Sequence, residues 1–266
     1  MNQRIENMLF YRLMEPIIAS KDNEKIKWLR KLATKKFRED SGQFLVENIK
    51  IIGDALHAGI LPEALFISDN LLAKHDSRLA DILRQIPVYF VFAAKINSGF
   101  SSLDTPSGIC AVYQKPFRPI DLKASVLYLN GISDPGNLGT ILRTALAFGF
   151  QNIVVDDTCA DIFNPKTIQS AKDALFKLNI HLDRDYIVFE KVKSLMPILS
   201  AAALGGKNIQ TIHVAKPFCV VFGNEAHGIS KKIQALTDTF ITIPMSPQME
   251  SLNVAVAAGI ILHALT

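Results

Sequence analysis

SVLYLNGISDPGNLGTILRTALAFG (residues 125–149) changes its pattern within a dozen residues. SVLYLN (125–130) is a short apolar run, the signature of a buried strand. Asp134, Pro135, Gly136 and Asn137 then form a turn, and the residues after them read as a helix that carries Arg143. With the helix starting near Asn137, Arg143 lies about one and a half turns inside it.

The same alternation continues downstream. NIVVDD (152–157), TIHVA (211–215), FCVVFG (218–223) and FITIPM (240–245) read as buried strands, with helical patterns between most of them. The expected result is a mainly parallel α/β sheet covered on both faces, with ligands at the carboxyl ends of its strands. Upstream, residues 22–113 hold a basic helix near 23–38, strands at 44–47, 64–68, 88–92 and 108–113, and helices to about Ala58 and Gln85. This predicts a smaller α/β domain over 16–115, a Pro-containing linker over 116–123 and the larger domain over 124–266, after an N-terminal extension, 1–15.

Composition agrees with two folded domains. Of 266 residues, 49% are hydrophobic and 20% charged, which excludes a disordered chain. Cys110, Cys159 and Cys219 are far apart and lack zinc-ligand spacing, so reduced buried thiols in a cytoplasmic protein are expected, with no metal. The N-terminal residues do not read as a secretory signal, and no apolar run reaches the ~18 residues of a membrane span.

Polar residues gather where three strands end. After the turn at Asp134–Asn137 come VVFGNEAHGIS (220–230), with Gly223, Asn224, Glu225 and His227, and ITIPMSPQMESLNVAVAAG (241–259), with Glu250, Ser251 and Asn253. Ser251 or Asn253 can cap the final helix. Each loop alone is ordinary turn chemistry, but in the expected sheet all three would open on one edge. Neither GxGxxG nor GxxxxGK[ST] is present, so the usual nucleotide fingerprints are missing.

In order, these three segments resemble the motifs of the SpoU (TrmH-type) RNA ribose 2′-O-methyltransferases, members of the SPOUT superfamily. KIKWLRKLATKKFREDSGQFLVEN (25–48) more loosely resembles the opening of the RNA-substrate-binding domain that many of them carry. The resemblance implies an α/β-knot domain with a deep trefoil knot. It implies S-adenosylmethionine held mainly by backbone at Gly223, Ile243, Met245 and Leu252, with Asn224 and Pro244 shaping the loop and Asn253 beside it. It also implies an active site of Asn137, Arg143, Glu225, Ser251 and Asn253, and a homodimer through the last helix. VAVAAGIILHAL (254–265) lacks a clear polar face, as expected of a helix buried on all sides. Three departures stand out: Ala226 where the family most often has Gly, Pro247 at a loop position that is often Gly, and Ala171 and Asp173 where Ser and Gly are common.

The expected reaction is attack of a ribose 2′-hydroxyl on a sulfonium methyl group. Family mechanisms sometimes make the Arg143 position a general base. A guanidinium is hard to deprotonate in proteins and suits phosphate and oxyanion binding better. Residues 21–38 hold eight Lys or Arg, and Ile26, Leu29, Ala33 and Phe37 form an apolar stripe that leaves Lys27, Arg30, Lys31, Lys35 and Arg38 to contact RNA. Large-subunit ribosomal RNA is the first expected substrate and transfer RNA the second. The alternative is a non-catalytic RNA-binding knot protein.

Overall fold

A computed structural model describes residues 16–266 except 75, 87 and 117, so the expected extension lies outside the described residues. The chain divides into two compact units, one ending at Lys115 and one starting at Pro116.

The first unit contains α1 (Glu24–Lys31), α2 (Lys35–Ser41), β1 (Gln43–Val46), α3 (Ile49–His57), β2 (Ala64–Ser68), α4 (Asp69–Leu72), α5 (Ser77–Gln85), β3 (Phe90–Phe92) and β4 (Ile109–Gln114). Its sheet runs β1-β4-β2-β3, antiparallel except for the β2–β3 pair. Ile26, Leu29 and Leu32 pack with Phe66, Phe92 and Val112 in its core.

The single basic helix expected over 23–38 is two helices. Thr34 has extended backbone (φ −92°, ψ 134°), and its hydroxyl donates to Lys31 O at 2.9 Å, which ends α1 and starts α2. Local side-chain bonding of this kind favours caps over helix interiors. The break redirects Arg38, which is only 3% exposed. Its Nη1 donates to Leu32 O at 2.7 Å and Ala33 O at 2.8 Å, carbonyls left open by the end of α1. Arg38 is therefore a buried cap and not an outward RNA contact. Ala33 is exposed, and Leu32 takes the expected place of Ala33 in the apolar stripe.

The second unit contains β5 (Val126–Leu129), α6 (Pro135–Ala147), β6 (Asn152–Asp156), α7 (Pro165–Ala171), α8 (Ala174–Lys177), β7 (Asn179–Asp183), α9 (Ile187–Lys193), β8 (Ile198–Ala201), β9 (Lys207–Asn208), β10 (Cys219–Phe222), α10 (Lys231–Leu236), β11 (Thr239–Thr242) and α11 (Val254–Ala264). Seven strands form one sheet in the order β7-β6-β5-β10-β8-β11-β9, and every pair is parallel. Burial of β5, β6 and β10 at every position explains their continuous apolar runs.

TIHVA (211–215) is not a strand. Ile209–Thr211 is a 3₁₀ turn capped by Asn208, and residues 212–215 pair with no strand. A short β-branched run reads alike in a strand and in extended loop, and only pairing separates them. β7 and β9 were hidden by the opposite effect, since NIHLD and KN carry polar residues at sheet edges, whereas β8 is an interior strand of only four residues, ILSA, too short a run to stand out.

Helix α6 starts at Pro135, with Asp134 as its cap, which places Arg143 more than two turns in. α6 lies close against α7 because residue 139 is Gly: a Cβ there would stand 2.4 Å from Thr167 O and 2.7 Å from Ser170 Cβ. α11 is not buried on all sides in the single chain. Val254, Ala258, Ile261 and Leu262 face inward, whereas Val256 is 52% and Ile260 40% exposed.

Candidate active site

The site forms where the sheet's connections diverge. β6 and β7 follow β5 on one side, while β11 follows β10 on the other, so a crevice opens beyond the carboxyl ends of the adjacent β5 and β10.

The loop after β5 is fixed first. Buried Asp156, at the end of β6, accepts from Asn130 Nδ2, from Gly131 N at 3.1 Å and from Thr158 Oγ1 at 2.8 Å. Asn130 Oδ1 accepts from Ser230 N at 2.7 Å and so ties this loop to the far end of the next one. Sequence reasoning missed this buried pair. Its signal was a polar residue closing each of two adjacent strand runs, LYLN and IVVDD.

The loop after β10 is a tight hairpin. Asn224 and Gly228 exchange backbone hydrogen bonds of 2.9 Å each, and Asn224 Oδ1 accepts from Ala226 N at 2.9 Å and His227 N at 3.0 Å. Asn224 Nδ2 donates to Gly131 O at 2.8 Å, which joins the two loops again. Gly223 sits directly beneath the hairpin: a Cβ there would lie 2.5 Å from Gly228 C and Ile229 N. Ala226 is easily accommodated, because the non-glycine residues with positive φ are Lys172, Asp185 and Tyr186 among the described residues. Lys172, between the departures Ala171 and Asp173, has φ 57° and ψ −137°.

Three polar side chains then meet. Asn137 Nδ2 donates to Glu225 Oε1 at 2.8 Å, and Asn253 Nδ2 donates to Asn137 Oδ1 at 3.1 Å. Asn253 Oδ1 caps α11 by accepting from Ala255 N at 2.9 Å and Val256 N at 3.3 Å, so Asn253 and not Ser251 is the cap. Asp134 Oδ1 accepts from Asn137 N at 2.8 Å, and Asp134 Oδ2 from Lys166 Nζ at 2.8 Å. The Lys166 bond, followed by that of Asn137, holds the Asp134 carboxyl below its usual pKa.

Beside the cluster lies a cavity of about 360 Å³. Of the expected cofactor positions, Gly223, Asn224, Ile243, Met245 and Leu252 line it, whereas Pro244 and Asn253 do not. Glu225 and Ser251 also line it, as do Ala201–Ala203 and Phe240. Arg143 does not join the cluster. It is exposed, has no side-chain hydrogen bond or ion pair among the described residues, and lies six positions beyond Asn137, about 120° around the helix.

On the first unit, Lys27 pairs with Glu24 at 2.8 Å, Lys35 lies 3.9 Å from Glu39, and Lys31 stands over the Phe37 ring. Arg30 Nε donates to Gly99 O at 3.0 Å. No described helix is long and apolar enough to cross a membrane. Among the described residues, no group of three His, Cys, Asp or Glu is placed to hold a metal. Cys110, Cys159 and Cys219 are buried and unpaired, and burial raises the pKa of all three thiols.

Comparison with known proteins adds three kinds of likeness. Residues 124–263 match the model of the SpoU rRNA Methylase family, and 23–111 match that of the MRM3-like substrate binding domain. The chain is 33% identical over 254 residues to a 23S rRNA (guanosine(2553)-2′-O)-methyltransferase of Bacillus subtilis, covering 93% of this chain and 98% of that one. It superposes on a crystal structure of an RNA 2′-O ribose methyltransferase with a TM-score of 0.79 at 25% identity, covering 94% and 97% of the two chains. An AdoMet-bound rRNA methyltransferase from Sinorhizobium meliloti has the same fold, with a TM-score of 0.79 at 24% identity and coverage of 94% and 96%.

Proposed function

The chain belongs to the SpoU rRNA methylase family, and on that premise we propose that it transfers a methyl group from S-adenosylmethionine to a ribose 2′-hydroxyl of structured RNA, large-subunit ribosomal RNA first and transfer RNA second. The observation that carries this reading is the Glu225–Asn137–Asn253 chain of hydrogen bonds at the mouth of the 360 Å³ cavity. It joins one polar residue from each of three strand-end segments.

The residues present suit S-adenosylmethionine. The cavity volume falls in the usual ligand range of about 300–1,000 Å³, with mainly apolar walls and a few polar groups. Phe240, Ile243, Met245 and Leu252 offer apolar contacts, the strand-end backbone at Gly223 offers hydrogen bonds, and Glu225 brings a carboxylate towards a cationic ligand. When bound, this cofactor supplies an electrophilic methyl group. Threading of the chain into a knot is part of the same reading.

The protein's own task is to align the ribose and to favour loss of the hydroxyl proton. Asn137 is held at both ends of its amide, which suits a residue that orients a nucleotide or its neighbours. Arg143, charged at any working pH, is assigned to grip phosphate and to stabilise the developing 2′-oxyanion. Lys27, Lys31 and Lys35 on the first unit, with Arg30, are assigned to RNA backbone contacts, which position the RNA without reading its sequence.

A homodimer completes the proposal. α6 packs on α11 through Phe148 stacked on His263 (5.3 Å) and Thr144 beside Gly259, and both helices have exposed faces. Val256 and Ile260 are the apolar part of that surface, and Arg143 is on the neighbouring helix. A second copy docked there would bring Arg143 to a partner's crevice. The deciding experiment is transfer of labelled methyl from S-adenosylmethionine to unmodified ribosomal and transfer RNA, with mapping of alkali-resistant 2′-O-methyl sites. One site in one RNA supports the proposal. Binding of cofactor without labelling of either RNA refutes the substrate, and absence of cofactor binding favours the non-catalytic alternative.

A further inference from the structure

The second unit holds another cavity, of about 380 Å³, which shares no lining residue with the first. It lies at the amino ends of β5, β6 and β7, where Ser125, Asn152 and Asn179 begin or precede those strands. Phe148, the C-cap of α6, is in its wall, whereas Asn137 in the first turn of α6 faces the active site. Eleven residues of helix put roughly 16 Å between those positions.

Its lining has three chemical parts. Lys123 and Lys216 are exposed ammonium groups at the rim. Among the described residues, Lys216 Nζ donates only a long 3.4 Å bond to Thr266 O. The one carboxylate in the lining, on Asp121, accepts from Lys123 N at 2.9 Å, while Asp121 N donates to Asn152 Oδ1 at 3.0 Å. The floor is amide: Asn152 is 2% exposed, and its Oδ1 also accepts from Asn179 Nδ2 at 3.2 Å. Asn152 Nδ2 donates no hydrogen bond among the described residues, so the cavity wall offers it as a donor to a bound group. Phe148 and Pro217 supply flat apolar surface.

Two ammonium groups suit phosphate, a buried amide suits a hydrogen-bonding base edge, and a ring beside a proline suits the face of a base. We propose that this cavity is a second site, for a nucleoside 5′-phosphate. The nucleotide either belongs to an RNA strand or is free. Its RNA form rests on the functional reading above, but its free form does not.

The test uses the full chain. Calorimetry with AMP and UMP measures free nucleotides, and filter binding with a 5′-phosphorylated oligoribonucleotide measures the strand. Each is applied to wild type, to Lys123→Glu/Lys216→Glu and to the single alanine variants, which guard against a folding defect in the double variant. If mononucleotide affinity falls at least tenfold in the double variant, with S-adenosylmethionine affinity unchanged, the site takes free nucleotides. If only oligoribonucleotide affinity falls, with a salt slope shallower by about two phosphates, the site holds RNA. Equal binding of both probes by all the variants overturns the inference. Methyl transfer by wild type is scored separately, so failure of this site leaves the activity standing, and loss of the activity leaves mononucleotide binding to be judged on its own.

Discussion

Asn137 Nδ2 and Glu225 Oε1 lie 2.8 Å apart although the two residues are 88 positions apart in sequence. The bond closes the crevice between β5 and β10 and fixes which way the Asn137 amide faces, because Glu225 can only accept. The other end of that amide, Oδ1, is therefore presented to Asn253 Nδ2.

Asn137→Ala removes both links, and Asn137→Asp keeps an acceptor for Asn253 but sets two carboxylates against each other. Methyl transfer is expected to fall by about a hundredfold in both, the scale of a 1 Å misplacement of reacting groups. Asn137→Asp should also raise the pH dependence of the rate, since protonation of one carboxylate restores a hydrogen bond. Initial rates from pH 5 to 9 test this, and a rate near wild type for Asn137→Ala would remove Asn137 from the machinery.

Arg143→Ala should leave the unfolding midpoint almost unchanged, because an exposed side chain without partners among the described residues contributes within about 0.5 kcal/mol. Cofactor affinity should persist while transfer is lost. If Arg143 acts across a dimer, mixing Arg143→Ala with Glu225→Ala chains restores activity, since one mixed site then has both residues. Activity that stays absent in verified mixed dimers would place Arg143 in its own chain's site.

Gly223→Ala puts a methyl group 2.5 Å from the backbone of Gly228 and Ile229. Backbone cannot yield as a flexible side chain does, so the hairpin must shift. A stability loss of about 1–3 kcal/mol is expected from the overpacking, with weaker cofactor binding because the same hairpin lines the cavity. Calorimetric affinity and urea midpoints measure the two effects, and an unchanged affinity would detach the hairpin from the cofactor.

These relationships explain how much the sequence could tell. Strands β5, β6 and β10 were legible because each is buried throughout, and Asp134 before Pro135 marked the start of α6 as a cap followed by proline. That Asn137, Glu225 and Asn253 belong to one sheet edge was legible from the strand pattern and family motifs, but their contacts were not, since no local pattern encodes a contact across 88 or 116 positions. The basic helix failed where the period was carried through Thr34, whose side chain ends one helix and whose backbone starts another.

That failure separates two sets of basic residues. Arg38→Ala leaves the Leu32 and Ala33 carbonyls without their buried charged donor, and a loss of about 1.5–3 kcal/mol is expected, the scale of hydrogen bonds to charged groups. Lys31→Ala with Lys35→Ala should leave stability alone, weaken RNA binding and make its salt dependence shallower by about two phosphates. Comparing unfolding midpoints with filter binding at several salt concentrations distinguishes these outcomes.

The Asp134 carboxyl gives the last prediction, in acid. Its folded pKa is lowered, first by the Lys166 ammonium and then by Asn137 N–H, so the folded state favours the charged form. Stability from this group is therefore fully present above the unfolded pKa of about 3.9 and is lost as pH falls through the lower folded value. Both side chains are exposed to water, at 43% for Asp134 and 62% for Lys166, so screening keeps the effect small. Between pH 5 and 3 the midpoint of wild type should drop slightly more than that of Asp134→Asn, which still accepts from Asn137 N but has no charge to lose. Because Asp134 caps the turn that carries Asn137, transfer at neutral pH should fall several-fold in Lys166→Ala and recover in Lys166→Arg. Failure of arginine to restore the rate would confine this pair to stability.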